Sequence, residues 1–208
     1  MNKLKLDKSF RPEAFQTSIS KIVRSKTLKI LENQHGKILD VGCGNGIFLL
    51  ESLAEYPGKF IVFGIDTDNA ALGNAKLVFE DNNFVSDHFI SGDAFQLPFA
   101  DNSFDYVFCL NTLVNLSPIK KIEILLKELH RVCKKDKYLV FDYRNRYNPV
   151  LSATYFLNRV TNSLSTFAYK WKQFESIITE LNAKRKAQYP LGSKNPVFAK
   201  GYLVVLEK

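Results

Sequence analysis

Nothing in the 208 residues approaches the ~18-residue apolar run that a membrane-spanning helix requires. The opening stretch does not combine a basic segment, an apolar core and a small-residue cleavage site, so the expectation is a cytoplasmic chain. Cysteine is scarce. Cys43, Cys109 and Cys133 are odd in number, widely spaced and without histidines at ligand spacing, which points to reduced structural thiols and gives neither a disulfide framework nor a metal site. There is no internal repeat and no low-complexity linker, so a single domain over 1–208 is expected. The remainder is ordinary: 46% hydrophobic and 24% charged residues describe a globular chain long enough for one sizeable core.

Acidic residues are few in one place only. Up to Tyr143 the chain balances 18 Lys and Arg against 18 Asp and Glu; from Arg144 onward there are 11 against 3, so the whole net charge of +8 belongs to the last third. Such a surplus either solvates a face or draws anions towards one.

Short apolar runs bounded by turn residues recur at Lys37–Gly42, Phe60–Asp66, His88–Asp93, Phe104–Leu110 and Lys137–Tyr143. Apolar on both faces, they read as buried strands. Helical spacing separates them over Gly46–Tyr56, Asn69–Asp81 and Pro118–Cys133, where Ile122, Leu125, Leu126, Leu129 and Cys133 share a face and Pro118 suits a first turn. A helix over about Thr17–Gln34 is expected to end at Gly36, another covers Phe174–Asn182, and a last strand from Gly201 can pair with one near Arg185–Tyr189. Strands alternating with helices predict an α/β fold, a mostly parallel sheet covered on both faces. The three histidines, His35, His88 and His130, sit at element ends and read as local structural residues.

The first strand runs into Asp40-Val-Gly42-Cys43-Gly44-Asn-Gly46. In such sheets the ligand lies beyond the strands' carboxyl ends, and glycines at alternate positions let it approach the backbone. A dinucleotide needs G-x-G-x-x-G, but Ile47 stands where the last glycine belongs. Charge separates the candidates further. A pyrophosphate site wants no competing carboxylate, yet Asp40 opens this loop and no Lys or Arg occurs from Ile38 to Glu55. The loop therefore suits a cationic ligand.

The stretch "LDVGCGNG" resembles the first motif of the class I S-adenosylmethionine-dependent methyltransferases, D/E-x-G-x-G-x-G, and "GDAFQLPFADNSFD" from Gly92 is similar to a later segment of that family. The resemblance covers about Lys37 to Tyr143. It implies a Rossmann-like, seven-stranded, mostly parallel sheet with a helical insertion after the fifth strand, and S-adenosyl-L-methionine as cofactor. The implied cofactor residues are Asp40, Gly42, Cys43, Gly44, Gly46, Asp66, Thr67, Asp93, Ala94 and Asn111. Asp66 would hold the ribose hydroxyls, and Asp93 and Ala94 the adenine. Two positions depart from the pattern. Lys135-Asp136-Lys137 replaces the glycines usual before the fifth strand, and Asn115 stands where a histidine is common.

Organised in this way, the chain has an N-terminal helical segment over 1–36, a cofactor-binding core over 37–143, a helical insertion over 144–172 as substrate cover, and a C-terminal helix with strands over 173–208. Methyl transfer is an in-line displacement for which a protein mainly supplies alignment and, where needed, a proton acceptor. Asp142 and Tyr143, at the end of the fifth strand, are the nearest candidates for that acceptor. Asn115, Arg144, Arg146 and Tyr147 are the candidate substrate contacts, the arginines orienting an anionic group. The segment "NTLV" from Asn111 lacks the prolines that adenine or glutamine-amide methylation would call for. A small-molecule or glycan-linked acceptor, an anionic one included, is the leading expectation. An RNA substrate and a non-catalytic cofactor-binding partner role are the alternatives.

Overall fold

The computed structural model describes residues 18–160 and 166–208. The expected helix start at Thr17 and the centre of the 144–172 insertion lie outside them. Seven strands form one sheet in the order β3-β2-β1-β4-β5-β7-β6. They are β1 (Gly36–Val41), β2 (Phe60–Asp66), β3 (Phe89–Ser91), β4 (Phe104–Cys109), β5 (Cys133–Arg144), β6 (Lys184–Leu191) and β7 (Gly201–Glu207). The first five are parallel, while β7 runs antiparallel to both β5 and β6.

The alternation of side chains along each strand divides the core in two. Ile38, Val62, Tyr106, Phe108 and Val140 face α1 (Ser18–Ile30), α2 (Ile47–Glu55) and α3 (Asn69–Asp81). Leu39, Val41, Val107, Leu139 and Phe141 face α4 (Ile119–Val132) and α6 (Trp171–Glu180). Both faces are therefore covered, and parallel strands read as continuous apolar runs for that reason. The remaining helix, α5 (Pro149–Val160), follows β5.

Three boundaries differ from the sequence expectation, each for a local reason. α1 ends at Ile30, and Gly36 opens β1 with φ 125° instead of capping the helix. A Cβ at Gly36 would lie 2.6 Å from Asp105 Oδ2, so the glycine makes room for that carboxylate. Pro118 is the N-cap of α4 and not a first-turn residue. β5 begins four residues before Lys137, directly after α4 with no loop between them, because Cys133 already pairs with Phe104. Within this polar start Asp136 adopts φ 58°, the left-handed conformation a glycine takes most easily and Asp tolerates.

Candidate functional site

Strand order reverses between β1 and β4, which opens a crevice at their carboxyl ends. The loop after β1 lies there. Gly42, Gly44 and Gly46 have φ of 78°, 52° and 70°, so the loop turns through left-handed backbone at alternate residues. At Gly42 the absence of a side chain is also steric, because a Cβ would sit 2.3 Å from Thr112 Oγ1. The loop is tied to β2: Gly42 N–H and Cys43 N–H donate to Ile65 O at 2.8 and 3.2 Å, and Gly44 N–H donates to Asp66 Oδ2 at 2.7 Å.

The second oxygen of Asp66 accepts from Asp68 N–H at 3.0 Å. The N-cap of α3 is Asp68, whose Oδ1 accepts from Ala70 and Ala71. Asp66 is thereby free of the capping role and joins the glycine loop to the end of β2; Thr67 beside it is exposed. Asp93 is exposed and closes an Asx turn onto Phe95 N–H at 2.8 Å, with Ala94 half-buried within it.

Asp40 lies beneath the loop with 3% of its surface exposed, and its Oδ1 has no hydrogen-bond partner. Burial, and secondarily the Asp66 charge, push its carboxyl up to about 8. Burial likewise raises the Cys43 thiol, which rules it out as a ready thiolate. An orphaned buried carboxylate oxygen calls for a cation or a donor. The residues present therefore fit the cationic S-adenosylmethionine in two respects: this carboxylate, and a backbone stripped of Cβ atoms above it.

At the ends of β4 and β5 a buried polar group has formed. Asn111 holds φ 56°, its N–H donates to Asp142 Oδ1 at 2.6 Å, and its Oδ1 accepts from Arg144 Nη2 at 2.8 Å and Ser20 Oγ at 3.4 Å. Arg144 Nη1 also donates to Asp142 Oδ2, forming an ion pair almost wholly removed from solvent. Tyr155 of α5 faces the same guanidinium; burial raises its hydroxyl pKa, and Arg144 partly offsets that. Both oxygens of Asp142, a candidate proton acceptor, already accept hydrogen bonds here. Arg144, neutralised by Asp142, is likewise no free anion clamp.

Tyr143 points to the opposite face of β5, as strand alternation requires. It packs among Phe174, Trp171 and Tyr202, its hydroxyl accepts from Gln188 Nε2 at 3.1 Å, and burial raises its pKa. It lies away from the polar group that holds Asp142. Arg146 and Tyr147 are exposed, with Lys170 Nζ 5.7 Å from the Tyr147 ring centre, and Asn115 is exposed at the end of a 3₁₀ turn. Sequence reasoning missed Thr112, Ser20 and Tyr155, whose roles depend on contacts across 71, 91 and 11 positions and have no local signal.

Residues 38–136 match the model of a family described as a methyltransferase domain. Over that span the chain is similar to a methyltransferase domain. A demethylmenaquinone methyltransferase of Bacillus velezensis is 34% identical over 113 residues, which is 53% of this chain and 47% of that protein. One from Listeria welshimeri is 31% identical over 112 residues, 53% and 46% respectively. The chain thus spans about half the length of the curated relatives it matches. Among solved structures, an S-adenosylmethionine-dependent methyltransferase from Methanosarcina mazei superposes with a TM-score of 0.69 at 21% identity, over 86% of this chain and 96% of that one. The magnesium protoporphyrin IX methyltransferase of Synechocystis, solved with bound S-adenosylhomocysteine, gives 0.72 at 15% identity, over 98% and 88%. At such identities these structures speak for the methyltransferase fold.

Proposed function

We propose that this chain transfers a methyl group from S-adenosylmethionine to a small-molecule acceptor. The observation that carries the reading is the glycine loop held to Asp66 above the unpartnered, buried carboxylate oxygen of Asp40. When bound, the cofactor supplies a methyl group on a sulfonium, already activated for in-line displacement.

The chain's own residues bind and align. Asp40 supplies negative charge to a cationic ligand, Gly42, Gly44 and Gly46 admit it to the backbone, and Asp66 offers its remaining lone pairs to ribose hydroxyls. Asp93, Ala94, Thr67 and Asn111 complete the wall, and Cys43 contributes bulk and not reactivity. Asn115 and Tyr147 stand on the acceptor side. An anionic group on the acceptor would meet Arg146, which is exposed, and not Arg144, which is paired. No carboxylate of the strand ends is assigned as a base, so the reading favours an acceptor that ionises by itself.

The test is transfer of a labelled methyl group into a metabolite extract, with and without ribonuclease, and with demethylmenaquinone, the acceptor in the relatives' names, as the first pure compound. Label in a low-molecular-weight product, unchanged by ribonuclease and lost with Asp66→Ala, supports the proposal. Label on RNA, or none anywhere while the cofactor still binds, overturns it.

A further inference from the structure

Helix α5 is built the wrong way round for a helix that faces water. Its outward positions hold Val150, Phe156 and Leu157, exposed by 70%, 58% and 59%, while Leu151 and Tyr155 turn inward. Its hydroxyls add little polarity to that outer side, since Thr154 Oγ1 donates to Val150 O at 2.9 Å and Ser152 Oγ to Arg146 O at 2.8 Å. Val197 and Phe198 are exposed by 49% and 54% on the loop between β6 and β7. That loop is fixed beside the start of α5: Asn145 Nδ2 donates to Pro196 O and Ala199 O, and Asn148 Nδ2 to Phe198 O, each at 2.9 Å. Five large apolar side chains on two tied elements are thus held in water.

The charges around them have one sign. Arg146, Lys170, Lys194 and Lys200 are exposed on the flanking segments, and the sequence has no Asp or Glu from Arg144 to Phe174 or from Leu181 to Leu206. Apolar protrusions inside a cationic border match a surface that offers phosphate above hydrocarbon. RNA fits less well, because Val150, Leu157 and Val197 have no ring to stack on a base.

We infer that the outer face of α5 and the Val197–Phe198 loop dock the protein on anionic lipid bilayers. The side chains of Val150, Phe156, Leu157, Val197 and Phe198 enter the headgroup boundary, and the lysines meet lipid phosphates. The surface lies at the end of β5 and the start of β7, the same end of the sheet as the glycine loop, so docking turns the acceptor side towards the membrane. The inference is independent of the proposed methyl transfer, because bilayer binding requires neither cofactor nor acceptor.

Sedimentation with vesicles tests it. The full chain should pellet with vesicles of about 40 mol% phosphatidylglycerol, remain in solution with pure phosphatidylcholine, and bind more weakly as salt rises past ~0.15 M. The Phe156→Ser/Phe198→Ser variant, whose changes are both solvent-exposed, should keep its melting temperature and lose at least about tenfold in vesicle affinity. Lys194→Gln/Lys200→Gln should remove most of the salt dependence. Equal binding by the wild type and the Ser variant would overturn the inference. So would failure to bind anionic vesicles, or a dimer seen by light scattering that Phe198→Ser dissolves, since the face would then belong to a second copy.

Discussion

Asp40 carries the largest consequence of any single residue. In the unfolded chain its carboxyl ionises near 3.8, in the fold near 8, so the folded state holds a proton that the unfolded state gives up in between. A raised folded pKa means stability is fully present below about 4 and declines by about 1.4 kcal/mol per pH unit as pH rises to about 8. The melting temperature of the ligand-free protein should therefore fall between pH 5 and pH 8, and Asp40→Asn should flatten that fall. A cationic cofactor should drive the proton off. Calorimetry at pH 7 in buffers of different ionisation heat should show more proton release for the wild type than for Asp40→Asn, and equal release would remove Asp40 from the site. Gly42 is the other sensitive position. Gly42→Ala combines a positive φ with a Cβ at 2.3 Å from Thr112 Oγ1, and should cost roughly 2–4 kcal/mol. The double variant with Thr112→Ala should recover part of that loss in a denaturant titration, since Thr112 Cβ would then be the nearest of the Thr112 atoms at 3.2 Å.

At the scale of elements, the Asp142–Arg144 pair joins the ends of β4 and β5 to Ser20 of α1 and Tyr155 of α5. Asp142→Ala alone would leave a buried guanidinium uncompensated and should destabilise by about 3–5 kcal/mol, whereas Asp142→Leu with Arg144→Met should cost much less. Additive effects in the cycle of Asp142→Leu, Arg144→Met and their double variant would mean that the two charges do not depend on each other. At the opposite end of the sheet Asp105 binds three neighbouring strands: its Oδ2 accepts from Lys37 N–H of β1 at 2.9 Å and from Lys134 Nζ of β5 at 2.9 Å. Burial works to raise the Asp105 pKa, but these bonds and the Lys137 charge outweigh it and the net direction is downward. A depressed carboxyl contributes stability above its unfolded pKa and loses it as pH falls through the folded value, so Asp105→Asn should blunt the acid unfolding expected below about pH 4.

These elements also show what the sequence made legible. The alternation of strands and helices and the glycine loop follow from apolar runs and spacing because they are local patterns, whereas the order of the strands in the sheet is not one. Arg144 is different. Its sequence position at a strand end suggested an anion clamp, and only the fold shows that the carboxylate two residues earlier takes that charge. Tyr143 and Asp142 are adjacent in sequence, yet lie on opposite faces of β5, one among aromatics and one in a polar group. Alternation predicts the division but not which face leads to the crevice.

For the molecule as a whole, the two layers depend on β5, whose neighbours run parallel on one side and antiparallel on the other. It follows α4 without an intervening loop, Val132 ending the helix and Cys133 beginning the strand. Length variation is therefore not equivalent along the chain. An extra residue in the exposed Gly192–Lys200 loop can be taken up as slack. One inserted between Tyr138 and Leu139, where the ladders to β4 and β7 are regular, has nowhere to go except into the strand's phase, where it would send Tyr143 towards Asn111 and Asp142 into the aromatic layer. That regular run keeps the count of residues by which the sheet tells its two sides apart.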